Sequence, residues 1–405
     1  MRLIDTPASL EYLRLADMPT IDMTIPEEIA SSLDFSKVLI LPGFCDVHVH
    51  LREPGFSYKE TIYTGTRACA RGGYTDVLSM PNLNPVPDCV SSIQIQRELI
   101  DRDAVVRVHP YASITRGERG ETLVDMQSLR DLAIAYSDDG KDVRDTSLMR
   151  DAMIEARRLG KMIVAHCEDT SIARGYVREC DFATRYSHDA IPPSVEYSQV
   201  ERDLQLAKDT GVKYHICHVS TKESVDLIRD AKRDGVDVTC ETAPHYLTLT
   251  TSDLRDEGRF KMNPPLGLPR DRDALIEGVL DGTVDMIATD HAPHSIEEKS
   301  RGLRGSAFGI VGIETAFATL YTYLVREGIV DMDTIVRCLS LNPRRRFDLD
   351  TRCDYSIWNM DREFVVNPDE FVSLGRATPY EGASMRGVNL LTVKDNEIIY
   401  KNIGE

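Results

Sequence analysis

The chain has 405 residues and a net charge of −18 at pH 7, with 42% apolar and 28% charged residues. This composition is typical of a globular protein with a large core, and the acidic balance argues against binding to nucleic acid or to an anionic membrane surface. No apolar run approaches the roughly 18 residues of a membrane span, and the N-terminus lacks the apolar core of a signal peptide. Nine cysteines without a Cys-x-x-Cys pair indicate reduced thiols and a cytoplasmic location.

The first strong pattern follows an apolar run at residues 38–44. Side chains of a strand alternate between its faces, so Asp46, His48, His50 and Arg52 are predicted to share one face. Two imidazoles on one strand face can bind one metal ion, and the fixed charge of Arg52 suits an anionic substrate. A strand with two ordinary histidines is the alternative, which later segments make less attractive.

Short apolar runs then alternate with amphipathic segments. Helices are predicted over residues 146–159, over residues 314–326, and from a capping box at Ser220 and Glu223 to Gly235. Eight strands are predicted, at residues 46–50, 75–80, 105–112, 132–137, 162–166, 213–218, 236–241 and 286–290. This alternation favours an α/β fold, a (β/α)8 TIM barrel, over an open doubly wound sheet.

The two ends of the chain lack this rhythm. We expect residues 1–41 and 344–405 to form a small β-module from both termini, and residues 42–343 to form the barrel. Strand-like pieces in the tail occur at residues 355–359, 388–393 and 397–401. The N-terminal part is weakly patterned.

Polar residues fall at the C-terminal ends of six predicted strands, where barrel enzymes place their chemistry. They are His48, His50, Asn82, Asp139, His166, His218 and Asp290. Imidazoles and carboxylates together suit Zn²⁺, with Mn²⁺, Co²⁺ or Fe²⁺ as alternatives. Six such ligands fit two metals that share a bridging carboxylate better than one tetrahedral zinc. Asp290 is the candidate proton acceptor, although a lone aspartate here could also be a helix N-cap.

These segments resemble the class I dihydroorotases of the amidohydrolase superfamily. The matching motifs are PGFCDVHVHLREPG at residues 42–55, MPN at 80–82, SDDG at 137–140, VAHCE at 164–168, HVSTKES at 218–224, KMNPPL at 261–266, ATDHAPH at 288–294 and FGI at 308–310. They run in family order across about residues 38–345. Two features depart from the family pattern: the N-terminal half of the β-module is shortened, and the segment 352–356 is compressed. They affect the predictions for the β-module and the oligomer interface.

The resemblance implies a role for each matching residue. One metal would be held by His48, His50 and Asp290, the other by His166 and His218, and Asp139 would bridge them in place of the carbamylated lysine of many relatives. Asp290 would be the catalytic residue. The implied substrate contacts are His50, Arg52, Asn82, Asn263, His294, Phe308 and Gly309. The implied cofactors are two divalent metal ions per chain, with Zn²⁺ first, and the implied reaction is the reversible cyclisation of N-carbamoyl-L-aspartate to L-dihydroorotate in pyrimidine (UMP) synthesis.

Several alternatives stay open. Another cyclic-amide hydrolase, of allantoinase or dihydropyrimidinase type, would keep the fold and metals, whereas a non-catalytic scaffold for aspartate transcarbamoylase should have lost ligands. The charged segment 295–305 could be a mobile lid or a solvated loop. We expect a small-molecule substrate and a homo-oligomer, with a dimer favoured, and association with aspartate transcarbamoylase is an open option.

Overall fold

The structure, a computed structural model, describes residues 38–350 and 354–403 and the backbone of residues 3–5 and 24–26. Parallel strands Phe44–Val49, Tyr74–Ser79 and Arg107–Pro110 form one sheet. A second parallel sheet contains Met162–Ala165, Lys213–Ile216, Val238–Thr242 and Met286–Ile287. Their alternation with helices confirms the α/β barrel class.

Two seams join these sheets into a closed ring. At one seam, residues 134–137 occupy the place of the predicted fourth strand without forming a regular one: Ala112 N–H donates to Ala135 O at 3.1 Å, and Tyr136 N–H donates to Met162 O at 3.2 Å. At the other seam, His50 N–H donates to His291 O at 2.9 Å beside a parallel bridge from Val49 to His291. The first and last strands therefore lie side by side, which brings residues from both ends of the barrel sequence to one place.

Helices surround the ring. The helical segments are Ile62–Arg71, Val90–Asp103, Met126–Leu129, Thr146–Arg158, Asp181–Tyr186, Ser194–Thr210, Lys222–Arg233, Pro244–Thr248, Pro269–Asp281, Ile296–Lys299, Gly302–Gly305, Ala316–Leu320, Met332–Val336 and Asn342–Arg346. The π-helical turns Tyr321–Val325 and Arg337–Leu341 continue two of them, and 3₁₀ turns lie at Arg116–Glu118, Thr251–Asp253, Gly258–Phe260 and Pro368–Glu370. The helices predicted over residues 146–159 and 314–326 are thus found within a few residues of their expected bounds.

One predicted helix start is wrong by one residue. Thr221, not Ser220, is the N-cap of Lys222–Arg233, because its side chain accepts from Ser224 N–H. Ser220 is occupied elsewhere: its backbone and hydroxyl donate to the buried carboxylate of Glu196, and its hydroxyl accepts from Arg178 Nη2 at 2.8 Å. Thr221 also donates to Glu196, so the contact that distinguishes Ser220 is the one from Arg178, which occupies its hydroxyl oxygen.

An antiparallel sheet joins the two ends of the chain. Its strand order is Glu397–Lys401, Ser384–Lys394, Tyr355–Val365 and Val38–Pro42, which confirms a β-module built from both termini. Trp358 packs against Phe317 at a ring-centroid distance of 4.4 Å and against Phe44 at 6.0 Å, so the module shares the core of the barrel. Short strand pairs also form between Leu3–Asp5 and Thr24–Pro26, antiparallel, and between Val177–Arg178 and Ala190–Ile191, parallel. Most of the predicted N-terminal part, residues 1–41, lies outside the described residues, and the domain boundaries stay predictions.

Candidate active site

The six predicted metal ligands converge at the C-terminal end of the barrel. They form two buried groups, in each of which the ligand atoms lie within 4.8 Å of one another: His48, His50 and Asp290 in one, and Asp139, His166 and His218 in the other. We call these six residues the ligand cluster. The first group lies across the seam between the first and last strands, and the second lies on the fourth to sixth strand positions.

Asp139 lies between the two groups. Its Oδ1 is 3.5 Å from His48 Nε2 and its Oδ2 is 3.6 Å from His50 Nε2. The same Oδ1 is 3.8 Å from His166 Nδ1 and 3.7 Å from His218 Nε2. One carboxylate is therefore within reach of ligands from both groups, which is the placement that a bridging ligand requires.

The donor set fits divalent cations. His48 Nε2 and Asp139 Oδ1 are buried and have no hydrogen-bond partner among the described residues, which is costly unless another polar group is bound there. Nitrogen and carboxylate oxygen atoms aimed at a common point are the ligands that Zn²⁺ and similar ions take. Cys217 lies near His48 and Asp139 as a third combination, but burial raises the pKa of its thiol and disfavours the thiolate that would bind metal.

Strained backbone accompanies the site. Arg52, His218 and Asp290 have positive φ angles of 60°, 32° and 46°, a region that side-chain-bearing residues seldom adopt. All three lie shortly after the ends of barrel strands, which end at Val49, Ile216 and Ile287. The surrounding contacts must hold these conformations, as is common at functional sites.

Two carboxylates that the sequence reasoning missed orient ligand histidines. Glu241 Oε1 is 2.7 Å from His48 Nδ1, and Glu168 Oε2 is 3.0 Å from His166 Nε2. Each contact uses one ring nitrogen and leaves the other directed into the ligand cluster, as carboxylate–histidine–metal arrangements do. Burial disfavours the charged form of Glu241, but the His48 imidazole and the hydrogen bond from His215 outweigh it and lower the pKa to about 2. Glu241 is the last residue of the predicted strand 236–241, so its position at a strand end was visible in the sequence, whereas its contact with His48 was not.

The contacts of Asp46 indicate a structural role. Its carboxylate accepts from Thr289 Oγ1 at 2.6 Å, from Thr289 N–H at 3.2 Å and from His48 N–H at 3.0 Å. It therefore joins the first strand to the last across the barrel seam and holds the backbone, not the ring, of His48. Burial raises the pKa of Asp46 to about 7.

A cavity of about 420 Å³ opens over the ligand cluster. All seven predicted substrate contacts line it: His50, Arg52, Asn82, Asn263, His294, Phe308 and Gly309. The lining also includes residues that the sequence reasoning did not single out, namely Phe56, Lys59, Leu83, Glu118, Gly140, Lys141 and Ala292. Burial, with help from the Asp138 and Asp139 carboxylates, raises the pKa of Glu118 to about 9.

Arg52 is fixed in the wall of this cavity. Its Nε donates to Pro293 O at 3.1 Å, and its Nη2 is 3.3 Å from His294 Nε2. His294 Nδ1 is 3.0 Å from Glu298 Oε2, and Lys59 Nζ is 3.0 Å from Glu298 Oε1. We call Arg52, Lys59, His294 and Glu298 the Arg52 network. It places two fixed cations beside the ligand cluster, which suits an anionic ligand.

The amides and backbone of the cavity wall are partly engaged. Asn82 Nδ2 donates to Asp139 O at 2.6 Å and to Glu118 Oε1 at 3.3 Å, so both of its N–H groups are used within the protein. Asn263 Nδ2 donates to Glu168 Oε2 at 2.9 Å. Gly309 N–H donates to Lys261 O at 3.1 Å. The φ of Gly309 is 126°, and a Cβ at this position would lie only 2.7 Å from Ala292 O, so only glycine fits here. All of these residues lie at the cavity, but the N–H groups named here already donate within the protein.

The segment 295–305 is ordered into the short helices Ile296–Lys299 and Gly302–Gly305. Lys299 anchors it, because Nζ donates to Lys261 O at 3.0 Å and to Ala307 O at 2.7 Å. Glu298 and Lys299 contact the rest of the protein, whereas Ile296, Glu297 and Arg301 are exposed, so the choice between a mobile lid and a solvated loop stays a prediction. Among the helices of the described part of the chain, none is both long and apolar enough to cross a membrane.

The chain is similar to proteins of known families. The Dihydro-orotase-like family model matches residues 37–224. A dihydroorotase of Fusobacterium nucleatum is 45% identical over 377 residues, covering 91% of this chain and 89% of that protein. A dihydroorotase of Staphylococcus aureus is 45% identical over 386 residues, covering 93% and 91%.

Solved structures agree in fold. An L-hydantoinase (dihydropyrimidinase) from Arthrobacter aurescens superposes with a TM-score of 0.81 at 22% identity and covers 91% of this chain and 87% of that chain. A dihydropyrimidinase from Brevibacillus agri gives a TM-score of 0.77 at 20% identity, with 90% and 86% covered. At such identities the likeness concerns the fold alone, whereas the identity to the dihydroorotases extends over nearly the whole chain. The chain therefore belongs to the dihydroorotase family of cyclic amidohydrolases, which use divalent metal ions.

Proposed function

We propose that this protein is a dihydroorotase that interconverts N-carbamoyl-L-aspartate and L-dihydroorotate plus water, a step of pyrimidine synthesis. The observation that carries the proposal is the position of Arg52 in the cavity that also opens on the ligand cluster. A metal hydrolase with a fixed guanidinium beside its metals is suited to a cyclic amide that bears a carboxylate.

The metals would be two divalent ions, with Zn²⁺ as the first choice. His48, His50 and Asp290 would hold one ion, His166 and His218 the other, and Asp139 would bridge them. When bound, such a pair supplies Lewis-acid polarisation and can lower the pKa of a bound water to about 7. The unpartnered His48 Nε2 and Asp139 Oδ1 support this assignment.

The residues of the chain would then divide the chemistry. Arg52 would bind the substrate carboxylate through two parallel N–H groups, and Asn82, Asn263, His294 and the backbone at Phe308 and Gly309 would complete the pocket. In the hydrolytic direction, water attacks the ring amide carbonyl and Asp290 accepts its proton. Asp290 would deliver that proton to the departing ring nitrogen, and cyclisation would follow the reverse order.

Burial disfavours the charged form of Asp290, but the neighbouring His48 and the hydrogen bond from His50 outweigh it and hold its pKa below the usual range. Its carboxylate is thus ionised at neutral pH, the form that a proton acceptor requires. Its Oδ1 is 3.1 Å from His50 Nε2, which fixes one oxygen of the carboxylate within the ligand cluster.

The competing activity is that of an allantoinase or dihydropyrimidinase. These substrates share the cyclic amide but lack the ring carboxylate, so the Arg52 guanidinium would have no partner in them. Purified protein loaded with Zn²⁺, Mn²⁺ or Co²⁺ should be assayed with dihydroorotate, allantoin and dihydrouracil, with metal content measured on the same sample. Turnover of dihydroorotate supports the proposal, and turnover of allantoin or dihydrouracil alone would overturn it.

A non-catalytic scaffold for aspartate transcarbamoylase is disfavoured because all six ligands are present and grouped. Metal binding at less than about half an equivalent per chain after careful loading would restore that alternative. The dimer, the association with a transcarbamoylase, the cytoplasmic location and the boundaries of the barrel at residues 42 and 343 remain predictions.

A further inference from the structure

Glu298 occupies a position that the proposed reaction does not yet explain. It lies on the short helix Ile296–Lys299, beyond the ligand cluster, and each of its carboxylate oxygens accepts two contacts. Oε1 is 3.0 Å from Lys59 Nζ and 3.3 Å from Tyr58 Oη. Oε2 is 3.0 Å from His294 Nδ1 and 3.1 Å from Ser295 N. A half-buried carboxylate with four partners is fixed in place and fixes its partners in turn.

The partners of His294 determine which of its ring nitrogens carries the proton. Glu298 Oε2 can only accept and lies at Nδ1, whereas Arg52 Nη2 can only donate and lies 3.3 Å from Nε2. A neutral imidazole satisfies both when Nδ1 is protonated and Nε2 offers its lone pair. Burial, together with the charges of Arg52 and Lys59, lowers the pKa of His294 to about 3, so the ring is neutral at working pH.

This tautomer matters for Arg52. Two of its N–H groups are used on Pro293 O and His294 Nε2, which fixes the plane of the guanidinium and leaves the others for a carboxylate. Without Glu298, Nδ1 would face the Lys59 ammonium 3.3 Å away, which can only donate and therefore favours an unprotonated Nδ1. The ring proton would then move to Nε2, where it would face the donors of Arg52.

We propose that Glu298 is a positioning residue for substrate binding: it selects the Nδ1-protonated tautomer of His294 and thereby holds the guanidinium of Arg52 in the orientation that receives the substrate carboxylate. Its kinetic consequence rests on the proposed function, whereas the tautomer itself does not. Glu298 touches no reacting atom, and it acts through His294 and Lys59.

The first test is the tautomer. In zinc-loaded protein labelled with ¹⁵N-histidine, long-range ¹H–¹⁵N spectra distinguish protonated from unprotonated ring nitrogens, and H294Q identifies the resonances of His294. We expect an Nδ1-protonated ring in the wild type and an Nε2-protonated ring in E298A. An Nε2-protonated ring in the wild type, or an unchanged Nδ1-protonated ring in E298A, would overturn the proposal.

The second test separates binding from turnover. E298A should raise KM for dihydroorotate about tenfold, the loss expected when an oriented hydrogen bond to a charged group is weakened, with kcat changed less than about threefold. E297A is the matched control, because Glu297 lies on the same helix turn with its side chain exposed, and it should behave as the wild type. A fall in kcat at unchanged KM, or equal effects of E298A and E297A, would exclude a positioning role.

The two proposals can fail separately. If the wild type does not turn over dihydroorotate, the proposed function fails, and the spectra of the wild type still test the tautomer. If the wild type is active and E298A keeps both the wild-type KM and the wild-type tautomer, only the role of Glu298 fails.

Discussion

The ligand cluster and the Arg52 network meet in one cavity but are built differently. The ligand cluster is supplied by the ends of barrel strands, so its residues are placed by the ring itself and are buried. The Arg52 network is supplied by the chain that follows the first and last strands, and its four side chains hold one another. Strand ends are rigid and suit a metal centre, whereas connecting segments can vary and suit substrate recognition.

This contrast predicts that substitutions in the two regions will have different effects. Changes in the ligand cluster and its orienting carboxylates should affect turnover and metal affinity. Changes in the Arg52 network should affect the substrate concentration needed for saturation.

The largest effect is expected for Asp290. D290A should lower kcat for dihydroorotate on the order of 100-fold or more, because it removes both a metal ligand and the proton acceptor. The rate should be measured together with metal content. D290N, which keeps an oxygen ligand but cannot accept the proton, separates the two losses. A nearly normal rate in D290A would refute the role of Asp290.

Glu241 provides the next test. Its carboxylate lies 2.7 Å from His48 Nδ1 and 3.0 Å from His215 Nε2, and it accepts from the backbone N–H of His218 at 3.3 Å. Glu241 therefore contacts ligands of both groups. E241Q should weaken metal affinity about 10- to 100-fold in a chelator competition. E277Q, at an exposed glutamate of the helix Pro269–Asp281, is the control, and equal affinities in the two variants would show that Glu241 does not orient the ligands.

The ligand cluster was visible in the sequence because its geometry is local. Period-two alternation puts His48 and His50 on one face, and a polar residue directly after an apolar run marks a strand end. The same reasoning could not place partners that lie far apart in the chain: Glu241 is 193 residues from His48, and Asp46 contacts Thr289 across 243 residues. The roles of Glu241 and Asp46 therefore emerged only from the closed barrel.

The Arg52 network shows the other limit of sequence reasoning. Arg52 was found through the alternation of strand faces and His294 through the family motifs, but Lys59 and Glu298 look like ordinary surface charges. Similarly, Ser220 and Thr221 look equivalent as helix caps in the sequence, and both hydroxyls donate to Glu196, but only Ser220 also accepts from Arg178. Residues whose function depends on a third residue from another segment carry no local signal.

Arg52 itself should show the binding side of the contrast. R52M should raise KM for dihydroorotate on the order of tenfold or more with a smaller effect on kcat, since it removes a charged hydrogen-bonding fork. R52K, which keeps the charge but loses the planar fork, should fall between R52M and the wild type. Steady-state kinetics over a range of substrate concentrations provide the measurement, and unchanged saturation in R52M would show that Arg52 has a structural role.

The smallest effect concerns Lys299, which ties the helix of Glu298 to the barrel. Burial, together with the charge of Lys261, lowers its pKa to about 7 from the ordinary value of 10.5. Between these two values the unfolded chain binds more protons than the folded one, so this group makes the free energy of unfolding rise with pH, by at most about 1.4 kcal/mol per pH unit. Below pH 7 the lysine is protonated in both states and the contribution is constant.

K299M removes this titration. The wild-type free energy of unfolding, measured by urea denaturation, should therefore rise relative to that of K299M between pH 7 and 10, with K208M at an exposed helix position as control. Parallel pH profiles for wild type and K299M would show that the ammonium reaches solvent in the folded state. The helix of Glu298 would then be less firmly closed over the cavity than its contacts indicate, and the rigidity attributed to the Arg52 network would have to come from Lys59 and Arg52 instead.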